Sequence, residues 1–112
     1  MSTTPRDHSP LTPAVLHVLL ALSEGPLHGY AIMQRVHEDS GIAMGPGTVY
    51  GSLQRMEEGG LVREREDRSG EGRRLFALTE AGRAALEAET VRMRRLLDLA
   101  RQRRAQPGTE PA

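Results

Sequence analysis

The sequence predicts a mainly α-helical fold carrying one β-hairpin. Three observations lead there. Apolar residues recur at helical spacing in four segments bounded by Gly, Pro or Thr at capping positions. Two short β-prone runs flank the turn-rich loop DRSGEG. The last helical stripe runs on past the length that a core of this size can cover.

Thr12 followed by Pro13 is an N-cap and first-turn pair, and AVLHVLLAL then runs apolar to Gly25-Pro26, so the first helix is buried on most sides. A second helix opens at His28-Gly29, carries Tyr30, Ile32, Met33 and Val36 on one broad face, and stops at Gly41. The third opens with Gly45 as cap and Pro46 in the first turn. Its Val49, Leu53 and Met56 form the buried stripe, and it closes at Gly59-Gly60. Leu61 to Glu66 and Arg74 to Leu78 are the hairpin strands. Thr79-Glu80 then caps a helix to about Arg104, with Leu86, Thr90, Met93, Leu97 and Ala100 as a heptad-like seam widened by Leu96 and Leu99. Such a seam wants a second copy, with Leu86, Met93, Leu96, Leu97 and Ala100 at the dimer interface.

Helix, helix, short turn, helix and hairpin is the order of a winged helix-turn-helix, in which the third helix enters the major groove and the hairpin, or wing, touches adjacent backbone. The expected division is a disordered tail over 1–10, the winged domain over 11–78, a dimerisation helix over 79–104 and a disordered tail over 105–112. This order explains why the third helix accepts glycines that each cost about 1 kcal/mol against alanine. On a helical wheel Gly47, Thr48, Gly51, Gln54, Arg55 and Glu58 lie opposite the buried stripe. A surface without side chains near a helix start lets backbone N–H groups approach phosphates. Thr48, Ser52, Gln54 and Arg55 supply donors and acceptors for base edges or backbone. At the wing, Arg68, Arg73 and Arg74, with Arg63 and Arg65 on the incoming strand, suit phosphate or minor-groove contact. Glu64, Glu66, Asp67 and Glu71 lie in the same stretch, so a solvated, self-paired hairpin is the competing reading.

Composition narrows the function classes. Of the chain's 112 residues, fifteen are acidic and fifteen basic, all of the latter arginine, so net charge lends nucleic-acid binding no support. The absence of cysteine and lysine removes disulfides, thiolate chemistry, Schiff bases and a Walker lysine. His8, His17, His28 and His37 are scattered, and no Ser, His and acid arrangement is suggested by spacing. We expect no catalysis, no cofactor and no metal. The longest apolar stretch is too short to span a bilayer and the start lacks a signal-peptide pattern, so the expected location is cytoplasmic.

The stretch from Leu11 to Leu86 resembles the PadR family of bacterial transcriptional regulators, most specifically in PLHGYAI, GPGTVYGSLQRMEEGGLV and LTEAGR. The resemblance implies a homodimeric repressor that binds a pseudo-palindromic operator on double-stranded DNA and releases it when a small-molecule effector binds. It implies that Thr48 and Tyr50, with Pro46 and Gly47, belong to the recognition-helix motif and contact the DNA backbone. Gly29 and Tyr30 match the second-helix motif, and Arg73 and Arg74 stand where family members commonly carry a basic residue. Two departures stand out. Gly51 replaces a frequent proline, and the single C-terminal helix brings no tryptophan, so an aromatic drug-binding pore is not expected. The alternative function is a winged-helix interaction and dimerisation module without DNA binding, for which zero net charge is the argument.

Overall fold

The computed structural model describes residues 11–67 and 74–104, and the two expected tails lie outside them. The elements in order are α1 (Pro13–Ala21), a 3-10 turn (Leu22–Glu24), β1 (Leu27–His28), α2 (Gly29–Ser40), α3 (Pro46–Glu58), β2 (Val62–Arg65), β3 (Leu75–Leu78) and α4 (Glu80–Arg104). The expected four helices and hairpin are present. The addition is β1, which pairs antiparallel with β3 and makes a three-stranded sheet of order β1-β3-β2.

Helix boundaries follow the capping chemistry. The Thr12 hydroxyl accepts from the Val15 amide at 3.1 Å, with Pro13 in the first turn. α2 ends on Gly41 in the left-handed region, φ 79°. At the end of α3 the Gly60 amide donates to the Glu57 carbonyl at 3.0 Å and the Leu61 amide to the Met56 carbonyl at 2.8 Å, the paired bonds of a Schellman motif. Gly60 sits at φ 81°, where a side chain would be strained.

The core lies where α1, α2, α3 and the sheet meet. Phe76, Leu19, Leu22, Ile32, Leu53, Val18, Val36, Val49 and Val62 are fully buried there. α4 joins it only through its first turns. The Thr79 hydroxyl accepts from the Gly82 amide at 3.0 Å, and the Thr79 amide donates to the Leu61 carbonyl at 3.1 Å. A methyl group on Gly82 would collide with that same carbonyl, so the absent side chain lets α4 seat against the end of the α3–β2 turn. Farther along, Glu89 is only 8 % exposed. Its carboxylate accepts from the Arg92 guanidinium at 2.7 Å and the Leu11 amide at 3.2 Å, tying the start of the described chain to α4. Those two bonds, that to Arg92 first, hold the Glu89 carboxyl below the usual carboxylate range.

Beyond Glu89 the helix leaves its own domain. Val91, Met93, Leu96 and Leu97 are exposed, Leu96 by 60 %. Leu86, expected in the intersubunit seam, is partly buried against the chain's own core, on the side where α4 faces Leu20 of α1. Ala100 is exposed too, while Leu99 beside it is half-buried. Among the described residues no helix is long and apolar enough to cross a membrane.

Because α4 is seated through Gly82, Gly82→Ala should lower the free energy of unfolding by about 1–3 kcal/mol, the usual cost of overpacking. Urea denaturation followed by circular dichroism measures this; an unchanged midpoint would contradict the seating.

Candidate nucleic-acid interface

The stripe of Val49, Leu53 and Met56 is buried, as the wheel requires, and sets the rotation of α3. The opposite side is consequently outward. Gly47, Thr48, Gln54 and Arg55 are exposed and Gly51 is half-buried. An added Cβ at Gly45 or Gly47 would meet nothing within 4 Å, and at Gly51 only Nη1 of Arg55, at 3.7 Å. Among the described residues these glycines therefore admit no neighbouring helix of the same chain. Gly45, the N-cap, provides no side-chain capping bond and the first turn holds no acidic residue. The start of α3 thus presents amide groups and the positive end of the helix dipole without a competing carboxylate in that turn.

Ser52 departs from expectation. It is 5 % exposed, because it stands three residues after Val49 and four before Met56 and so falls within the inward arc. Its hydroxyl lies 3.4 Å from Nη2 of Arg55, which folds back along the helix. Ser52 is accordingly removed from the outer face, while Arg55 remains exposed there.

Tyr50 is half-buried between three elements. Its ring lies 6.1 Å from that of Phe76, tilted by 57°. A methyl group on Gly29 would strike its hydroxyl end, so a larger first residue of α2 would have to displace the Tyr50 ring. Tyr30, in contrast, is 64 % exposed beside that packed glycine.

Of the described wing arginines, Arg74 is paired within the protein. Register pairs Val62 with Leu78 and Glu64 with Phe76, so strand alternation puts Val62, Glu64, Phe76 and Leu78 on one face, with Arg74 two residues before Phe76 on that same side. Arg74 donates from Nε to Oε2 of Glu64 at 3.0 Å and from Nη2 to Oε1 at 3.1 Å, a bidentate pair. Its guanidinium carbon stands 5.1 Å from the Phe76 ring centre and 5.6 Å from that of Tyr50. The bond from Arg74 holds the Glu64 carboxyl below the usual carboxylate range. At the wing root, Nδ1 of His28 lies 3.1 Å from the Arg74 carbonyl oxygen and Nε2 lies 3.4 Å from Oδ2 of Asp67. Arg63 and Arg65 are exposed on β2, while Arg68 and Arg73 lie outside the described residues.

Charge and the resemblance to the family together point to Arg74 as a DNA contact. Strand alternation puts it on the side of Phe76, where its side chain is paired yet still about half exposed. The roles of His28 and Glu89 required knowing which distant backbone groups come near them.

Among the described residues no group of three or more His, Asp or Glu side chains is placed to hold a metal ion. A groove of about 400 Å³ lies between α1 and α4, lined by residues that include Leu20, Arg83, Thr90, Val91 and Arg94.

Comparison with known proteins agrees with this architecture. The chain is 39% identical over 88 residues to a transcriptional regulator of Mycobacterium tuberculosis, covering 78% of each chain. It is 48% identical over 83 residues to an uncharacterized 37.1 kDa protein of a Streptomyces fradiae transposon, covering 74% of this chain but only 24% of that one. Among solved structures, a PadR family transcription regulator of Clostridium difficile superposes with a TM-score of 0.71 at 26% identity, over 81% of this chain and 97% of the other. Bacillus subtilis PadR in complex with operator DNA superposes with a TM-score of 0.64 at 21% identity, over 93% of this chain and 53% of that one, a likeness of fold. Residues 16–88, more than half of the chain, match the family of PadR-like transcriptional regulators, and the chain belongs to that family.

Proposed function

We propose that this chain is a sequence-specific DNA-binding transcription regulator acting as a homodimeric repressor. The observation that carries the reading is the open start of α3. Gly45 and Gly47 leave its first turn bare, and the exposed Thr48, Gln54 and Arg55 continue that ridge along the helix. Backbone amides at the bare end approach phosphates, while Gln54 and Arg55 have the donors that read adenine and guanine edges in the major groove. The operator complex of Bacillus subtilis PadR, a protein of the same fold, supports DNA as the ligand.

The exposed Met93, Leu96, Leu97 and Ala100 of α4 fit a second copy of the chain. Pairing through these helices would hold two α3 helices about 34 Å apart, the spacing of successive major grooves, and so favours a two-fold related operator. The groove between α1 and α4 lies beside that seam. A small molecule wedged there would alter the spacing and release both half-sites together.

Two measurements test this reading. Operator affinity measured by fluorescence anisotropy should fall steeply with salt, with a log–log slope of about −0.9 for each neutralised phosphate. Arg55→Ala should cost about 1–3 kcal/mol and relax preference at one base position. A flat salt response with Arg55→Ala equal to wild type would favour the protein-interaction alternative, for which zero net charge is the argument.

For the dimer, Leu97→Glu should give a folded monomer in analytical ultracentrifugation, with operator affinity lost in proportion. A variant that remains dimeric would move the interface elsewhere.

A further inference from the structure

An arginine beside a recognition helix is ordinarily assigned to a phosphate. Arg74 is differently placed. Its guanidinium is bound by both oxygens of Glu64 and lies near the Phe76 and Tyr50 rings. Its main-chain carbonyl meets the ring of His28, the residue that precedes α2. Phe76 is fully buried in the core and Tyr50 belongs to α3, so Arg74 and its contacts join the wing, the core and the recognition helix.

The geometry points to a brace: Arg74, clamped by Glu64 and laid over Tyr50 and Phe76, is a positioning residue that sets the angle of the wing against α3, and its charge serves the protein instead of a phosphate. The chemistry suits that role. A guanidinium is planar, binds a carboxylate with two parallel bonds and stacks on aromatic faces, none of which an ammonium reproduces. As a phosphate contact, by comparison, Arg74 would be replaceable by lysine, and Glu64 would be a competitor whose removal strengthens binding. The functional consequence rests on the DNA-binding reading above, whereas the brace itself is a property of the free protein.

Arg74→Lys and Glu64→Gln separate the two roles, since each preserves size and leaves the buried core untouched. In the free protein, hydrogen exchange at the amides of β2 and β3 should quicken in both variants. Operator affinity of the folded protein should fall about fivefold in both, the scale of a half-exposed ion pair with a cation–π contribution, while the salt slope stays that of wild type. Wild-type affinity in Arg74→Lys, or tighter binding with a steeper salt slope in Glu64→Gln, would overturn the brace and make Arg74 a phosphate contact. A lowered melting temperature with unchanged affinity would also overturn it, since the pair would then only stabilise. Should the wild-type protein bind no DNA, the DNA reading fails separately, and the exchange experiment still decides the brace: faster exchange upholds it and unchanged exchange overturns it.

Discussion

The rotational setting of α3 is the constraint on which the rest of the structure depends. Val49, Leu53 and Met56 lie on one side of that helix and are buried together, each contributing about 1.5–3 kcal/mol. Glycine at Gly47 and Gly51 costs up to about 1 kcal/mol apiece, so burial wins and the helix forms in spite of them. Once the inner stripe is fixed, the outer ridge has no freedom. Gly47, Thr48, Gln54 and Arg55 must face away from the core, and Ser52 must turn toward it.

The same helix organises its neighbours from its C-terminal end and its flank. Tyr50 on the flank meets the glycine that begins α2 and the aromatic ring of β3. The C-terminal turn hands the chain to β2 through Gly60, and the Leu61 carbonyl that follows is the seat for α4. A displacement of α3 would therefore be felt at the wing and at α4 alike. Two glycines in this network, Gly29 and Gly82, serve close packing; Gly45 and Gly47 at the front of α3 have no packing neighbour among the described residues. One residue type thus does opposite work in the two places, and the distinction lies in what surrounds each.

Much of this was legible before any coordinates. Thr12-Pro13, Gly41, Gly45-Pro46 and Gly59-Gly60 mark helix ends by local chemistry, and local chemistry survives folding. The family motifs and the outward setting of Gly47 were equally readable. What the sequence concealed were consequences of tertiary contact. β1 is two residues long, too short for alternation to register, and exists only because β3 lies beside it. Ser52 looked available by composition but lies within the buried arc. The apolar spacing of α4 continues unbroken past the end of the chain's own core, so it does not separate Leu86 from the residues farther along. For Arg74 the charge was plain and its partner was not, since the pairing depends on hairpin register.

The account turns on the glycines at the front of α3 being kept bare for an approaching ligand at the expense of helix stability. Gly47→Ala and Gly51→Ala, measured for both melting temperature and operator affinity, test that trade most directly. Both substituted sites have room for a methyl group, so the account predicts protein that is as stable as wild type or more stable, yet binds operator DNA at least tenfold more weakly, about 1.4 kcal/mol. Variants that gain stability and bind as tightly as wild type would contradict it.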